Sequence, residues 1–152
     1  MTPTMSPAPA SAIALHADTS SLTAIGNDFG FAEVYARQVR AHAQPGDIVL
    51  LLSTSGRSPN LIAAADAARR CRAECWALTG PAPNPLAVTC TDAVCLPGDT
   101  AAVQESHLAA VHMICRVVEQ GLEHGTALSA QRLRALPRAT RRPDTERSME
   151  AL

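Results

Sequence analysis

Four hydroxyl side chains, Ser53, Thr54, Ser55 and Ser58, fall within six residues around Gly56. Such a cluster can donate hydrogen bonds to an anion, and the glycine lets backbone N–H groups approach the same ligand closely. The chain contains no lysine; every basic residue is arginine. That excludes a Schiff base, a P-loop lysine and a pyridoxal phosphate site. Any phosphate must therefore be met by amides, hydroxyls or a guanidinium. Arg57 stands in the cluster, either as a bidentate clamp or as a solvated residue at a helix start. A second group with chemical potential is Gln104, Glu105 and His112. On a helix Glu105 and His112, seven apart, fall nearly in register, and Gln104 lies about 80° from His112. A lone histidine on an apolar helix is more often a hydrogen-bonded core residue than a site residue. The neighbouring Gln and Glu tilt His112 toward a site, whereas His107 follows the packing stripe.

The elements that must hold these residues can be read from periodicity. Residues 47–52 form a short apolar run, the mark of a strand buried in a parallel sheet. It ends in the hydroxyl cluster, where Ser58 is a suitable N-cap and Pro59 sits at the favoured first helical position. Strand, Ser/Thr/Gly loop and helix N-terminus together make an anion site, because free N–H groups and the positive dipole end converge there; an ordinary βα turn with a capping serine is the alternative. Further strands are predicted over 11–16, 75–78 and 93–96, with a turn region over 19–27. Helices are predicted over 31–43, 60–72 and 100–124. The run Pro81-Ala-Pro-Asn-Pro85 reads as neither helix nor central strand. Alternation of this kind gives an α/β fold, layered α/β/α around a parallel sheet, with ligands beyond the carboxyl ends of the strands.

Composition bounds the remaining choices. A chain of 152 residues builds one core. With 13 basic and 14 acidic residues the chain is near neutral, so direct nucleic acid binding is not expected. No apolar run reaches membrane-spanning length, and the first ten residues lack a signal peptide pattern, so the reading is a cytoplasmic protein. The cysteines, at 71, 75, 90, 95 and 115, match no zinc or redox spacing. Cys75, Cys95 and Cys115 read as small core residues rather than disulfides. Residues after Thr126 hold six of the thirteen arginines and few large apolar residues. The expected organisation is a disordered N-terminus over 1–10, a domain over 11–125 and a disordered Arg-rich tail over 126–152.

Four stretches resemble the SIS (sugar isomerase) domain family and its phosphoheptose isomerase-like group. They are Asp18-Thr-Ser-Ser-Leu-Thr-Ala-Ile-Gly-Asn-Asp-Phe-Gly-Phe31, Pro45-Gly-Asp-Ile-Val-Leu-Leu-Leu-Ser-Thr-Ser-Gly56, Ala77-Leu-Thr-Gly80, and Val103-Gln-Glu-Ser-His-Leu108 with His112. The resemblance implies a sheet order of 2-1-3-4-5, as in flavodoxin-like folds, and a chain that joins the pattern at the second strand. The first helices, the first strand and a helix bearing a catalytic Glu have no match here. It implies that Ser53, Thr54, Ser55 and Ser58 bind the phosphate of a sugar phosphate, and that Gln104 and His112 face the active site and join a metal centre, with zinc as the metal. Asp28 is implied to orient a substrate hydroxyl, an Asn-Asp turn being the other reading. Aldose–ketose isomerisation through an enediol needs a base at carbon and an acid at the carbonyl oxygen. His112 supplies one and no matched carboxylate the other, so activity is expected of a completed domain rather than of this chain alone.

The chain also departs from the isomerase pattern. Arg57 stands where Asn is usual and Ala101 where Asp is usual, and residues 81–85 replace a glycine-rich loop. Thr100-Ala101 is closer to the branch that binds the DnaA replication initiator. Two functions follow as expectations: a phosphosugar-binding relative of sedoheptulose 7-phosphate isomerase, or a non-catalytic interaction module that binds the initiator. In either case the resemblance implies a homodimer or homotetramer.

Overall fold

A computed structural model describes residues 11–123; the expected disordered segments 1–10 and 126–152 lie outside the described residues. The chain runs through α1 (Thr19–Phe29), a 3₁₀ turn (Phe31–Glu33), α2 (Ala36–His42), β1 (Ile48–Ser53), α3 (Pro59–Arg70), β2 (Glu74–Thr79), α4 (Pro85–Thr89), β3 (Asp92–Cys95) and α5 (Thr100–Glu123). The three strands form one parallel sheet in the order β1-β2-β3. Ile48 pairs with Glu74 at one end of the first ladder and Ser53 with Thr79 at the other. The predicted α/β class and the central strands therefore stand. All three strands end on the same edge as the hydroxyl cluster.

The core forms where α3 lies on the sheet. Ala64, Ala65, Ala67 and Ala68 are buried on that helix and pack with Leu51, Cys75, Ala77 and Leu86. Small side chains here let helix and strands approach closely, and α2 adds Ala36 and Val39 to the same cluster. Gln38 is buried with them and donates from Nε2 to the Val34 carbonyl at 2.8 Å.

Several expectations are corrected. Residues 11–16 form no strand; they are irregular chain leading into a turn, with the Ala17 N–H on the Ala14 carbonyl at 2.9 Å. A strand needs a ladder partner, and residues 11–16 pair with none of the described strands: β1 is bonded to β2 alone. The predicted turn region over 19–27 is helix α1, nucleated by Asp18. Its carboxylate accepts from the N–H groups of Ser20 and Ser21 at 3.1 and 3.3 Å, satisfying donors that a helix start leaves orphaned. The helix expected over 31–43 is broken into a 3₁₀ turn and α2. Within 81–85, Pro85 opens α4, because Asn84 caps it through Ala87 N–H and proline is tolerated at the first position. Cys95 is half-buried and Cys115 exposed rather than core, while Cys75 is buried and Cys90 joins it.

Along the longest helix, α5, full burial among the described residues is confined to Val103 and His107 near its start and Gly121 near its end. His107 is thus a packing residue as expected, with its Nε2 buried and without a hydrogen-bond partner among the described residues.

Candidate functional site

At the carboxyl edge of the sheet the chain turns from β1 to α3 around a buried serine. Ser53 is 8% exposed, and its Oγ accepts the Gly56 N–H at 3.0 Å. That bond requires a tight bend, and Gly56 supplies it with φ +60°, a conformation costly for side chains. A Cβ on Gly56 would also lie 2.0 Å from Asn84 Oδ1. Loop and neighbour are in direct contact.

That neighbour is the segment between β2 and α4. Asn84, itself buried, donates from Nδ2 to Thr79 Oγ1 at 3.0 Å and to the Pro81 carbonyl at 3.3 Å, and accepts the Ala87 N–H at 3.0 Å. The Gly56 carbonyl accepts Leu86 N–H at 2.9 Å, and the Ser53 carbonyl accepts Gly80 N–H at 3.2 Å. A Cβ on Gly80 would meet the Thr54 carbonyl oxygen at 2.0 Å. The hydroxyl loop is therefore braced along its length by buried polar contacts, and such fully paired networks are rigid. The sequence reading missed Thr79 and Asn84 as members of the site. The Asn-Pro pair at 84–85 carried the signal, since Asn caps and Pro opens helices.

The other candidates occupy distinct positions. Ser55 is exposed, with its Oγ accepting Arg57 N–H at 3.2 Å; Arg57 is exposed beside it. Thr54 is half-buried. Ser58 is the N-cap of α3 as expected, with the extended backbone of that position, although its hydroxyl makes no capping bond. Its carbonyl instead accepts the Leu61 and Ile62 N–H groups, each at 3.1 Å. Hydroxyls and a guanidinium thus gather at the positive end of the twelve-residue α3.

Asp28 lies exposed in the last turn of α1 rather than in an Asn-Asp turn, because the segment expected to turn there is helical. Gln104, Glu105 and His112 are exposed on α5. Among the described residues none of these four hydrogen-bonds to the hydroxyl loop. Gln104 and His112 offer two donors where a catalytic zinc takes three from protein. Among the described residues no group of three His, Cys, Asp or Glu side chains is placed to hold a metal. The donors present among the described residues do not complete a zinc site.

Comparison with known proteins decides the family. The sequence matches the SIS domain over residues 3–80. It is 60% identical over 118 residues to the phosphoheptose isomerase of Streptomyces coelicolor, covering 77% of this chain and 51% of that protein. The chain belongs to the SIS domain family. The phosphoheptose isomerase of Trichlorobacter lovleyi is 46% identical to this SIS chain over 112 residues, with 73% of this chain and 57% of that protein covered. Among solved structures, phosphoheptose isomerase GmhA from Neisseria gonorrhoeae superposes with a TM-score of 0.66 at 42% identity, over 71% of this chain and 62% of that one. A phosphoheptose isomerase from Francisella tularensis gives 0.67 at 36% identity, over 74% and 63%. The SIS chain spans only about half to three-fifths of the length of these relatives. Among the described residues no helix is long and apolar enough to cross a membrane.

Proposed function

We propose that this SIS chain binds the phosphate of a sugar phosphate in the 53–58 loop, as part of a phosphoheptose isomerase-type protein acting on sedoheptulose 7-phosphate. The observation that carries the proposal is the braced loop: hydroxyls of Thr54, Ser55 and Ser58 and the Arg57 guanidinium stand at the N-terminus of α3, on a backbone held by Asn84 and Gly80. Ser53 differs from the other three in being buried: its hydroxyl oxygen accepts the Gly56 N–H and so shapes the loop, while its own proton remains to donate to the phosphate. Asp28 is the candidate for a substrate hydroxyl. His112 is the candidate proton carrier between the two carbons of an enediol, with Gln104, about two turns earlier on α5, as a donor for zinc in a completed site.

Calorimetric titration of the full chain with sedoheptulose 7-phosphate tests this. A Ser55→Ala/Ser58→Ala double variant should lose roughly tenfold or more in affinity, given about 1.5–3 kcal/mol for a hydrogen bond to a charged group. Equal affinity in the two proteins overturns the assignment.

A protein-facing role is a second reading, favoured by α5, where Leu108 is 57% and Met113 61% exposed. There the chain is a homodimer or homotetramer that presents a surface to the DnaA initiator. Purified initiator should then bind wild type and the double variant alike, with no affinity for the sugar phosphate in either.

A further inference from the structure

At the opposite end of the sheet from the hydroxyl loop, two cysteines meet in the core. Cys75 is the second residue of β2 and Cys90 follows α4 directly. Their Sγ atoms are in contact at 3.1 Å, and the residues are 3% and 1% exposed. The backbone holds them there: Thr91 N–H donates to the Cys75 carbonyl at 2.8 Å, and Cys75 N–H donates to Thr91 Oγ1 at 3.3 Å. A cleft of about 510 Å³, lined by both cysteines with Arg69, Arg72 and Thr91, opens beside the pair, so that a small oxidant needs only a local opening to reach the sulfurs.

We propose that Cys75 and Cys90 are an oxidative modification site, joined reversibly as a disulfide by hydrogen peroxide. One sulfur, as thiolate, attacks a peroxide oxygen; an S–O bond forms, the O–O bond breaks and hydroxide leaves. The second sulfur gives up its proton and displaces the sulfenic oxygen, so that the S–S bond forms and the S–O bond breaks. Two thiols and one peroxide become one disulfide and two waters. Only a short approach of the two sulfurs is needed, to about 2.05 Å. The hydrogen bond to Cys90, with burial, pushes the Cys75 thiol up, so few thiolates form at neutral pH and the reaction is slow unless the oxidant is concentrated. The ring closed by the bond, residues 75–90, contains Thr79, Gly80 and Asn84. Oxidation would therefore tie down the segment that braces the 53–58 loop, whatever that loop binds.

The test treats the full chain with hydrogen peroxide, alkylates the remaining thiols and maps peptides by tandem mass spectrometry. A Cys75–Cys90 linked peptide is expected, with a mass loss of about 2 Da that dithiothreitol restores. The melting temperature of the oxidised chain should rise by roughly 5–15 °C. Cys75→Ala and Cys90→Ala should each abolish the linked peptide; if these variants do not fold, the map of the wild-type chain decides alone. Pairing through Cys71, Cys95 or Cys115, sulfinic acid at Cys75 or Cys90 without a link, or retention of both thiols would overturn the proposal.

Discussion

Gly80 and Asn84 hold the hydroxyl loop without contributing a hydroxyl to it, and their removal should be felt through the backbone. A methyl at Gly80 meets the Thr54 carbonyl oxygen at 2.0 Å, and backbone cannot swing aside as a side chain does. Gly80→Ala should destabilise the chain by roughly 2–4 kcal/mol, measured by urea unfolding, and should weaken ligand binding at the loop. Asn84→Ala removes the α4 cap and leaves the buried Thr79 hydroxyl without its donor. A loss of about 1–3 kcal/mol is expected in the same assay. A change below about 0.5 kcal/mol in either variant would mean that the brace is not rigid.

Among elements, α1 depends most on one residue. Hydrogen bonds from Ser21, first its hydroxyl and then its N–H, hold the Asp18 carboxyl below the usual value of 3.8. A carboxylate whose pKa is depressed on folding stabilises the fold above its unfolded pKa, and that contribution is lost as pH falls through the lower folded value. Asp18→Ala should therefore lower the melting temperature slightly at pH 7, and the difference from wild type should shrink below pH 3.8. Melts that differ equally at both pH values would contradict this. Strand β1 shows a sharper contrast between its faces: Leu51 is 5% exposed and Leu52 40%. Leu51→Ala should lose about 2–5 kcal/mol to the cavity it leaves. Leu52→Lys should change stability by less than about 1 kcal/mol in this chain.

At the scale of the whole molecule, α5 and the outer strands carry exposed apolar side chains, and self-association is the expected consequence. Met113 and Val117 remain exposed beside the stripe that starts at Val103 and His107. Apolar area left in water costs roughly 25 cal/mol per Å². The chain should associate with copies of itself, and Met113→Glu/Val117→Glu should lower the associated mass in light scattering. A well-behaved wild-type monomer at micromolar concentration would rule this out.

Much of this protein was legible in local chemistry. The apolar run of β1, the Ser/Thr/Gly turn after it and the Pro59 helix start are short-range features, so residues 47–58 read correctly as strand, loop and helix. The long stripe from Val103 likewise marked α5. Where the reading failed, the deciding forces were of two kinds. Some were cap bonds from Asp18 and Asn84, which overrode the weak helix propensity of a Thr-Ser-Ser start and the breaking effect of prolines. Others were long-range. Residues 11–16 have strand-like composition, but a strand exists only where its ladder is met, and they pair with none of the described strands. The contact of Gly56 with Asn84, of Gly80 with Thr54 and of Cys75 with Cys90 joins residues many positions apart. Sequence spacing alone determined that hydroxyls would gather at a helix start; only the packing of β2 and α4 against that loop decided what holds it still, because a brace is made of atoms that meet in space and leave no period in the chain.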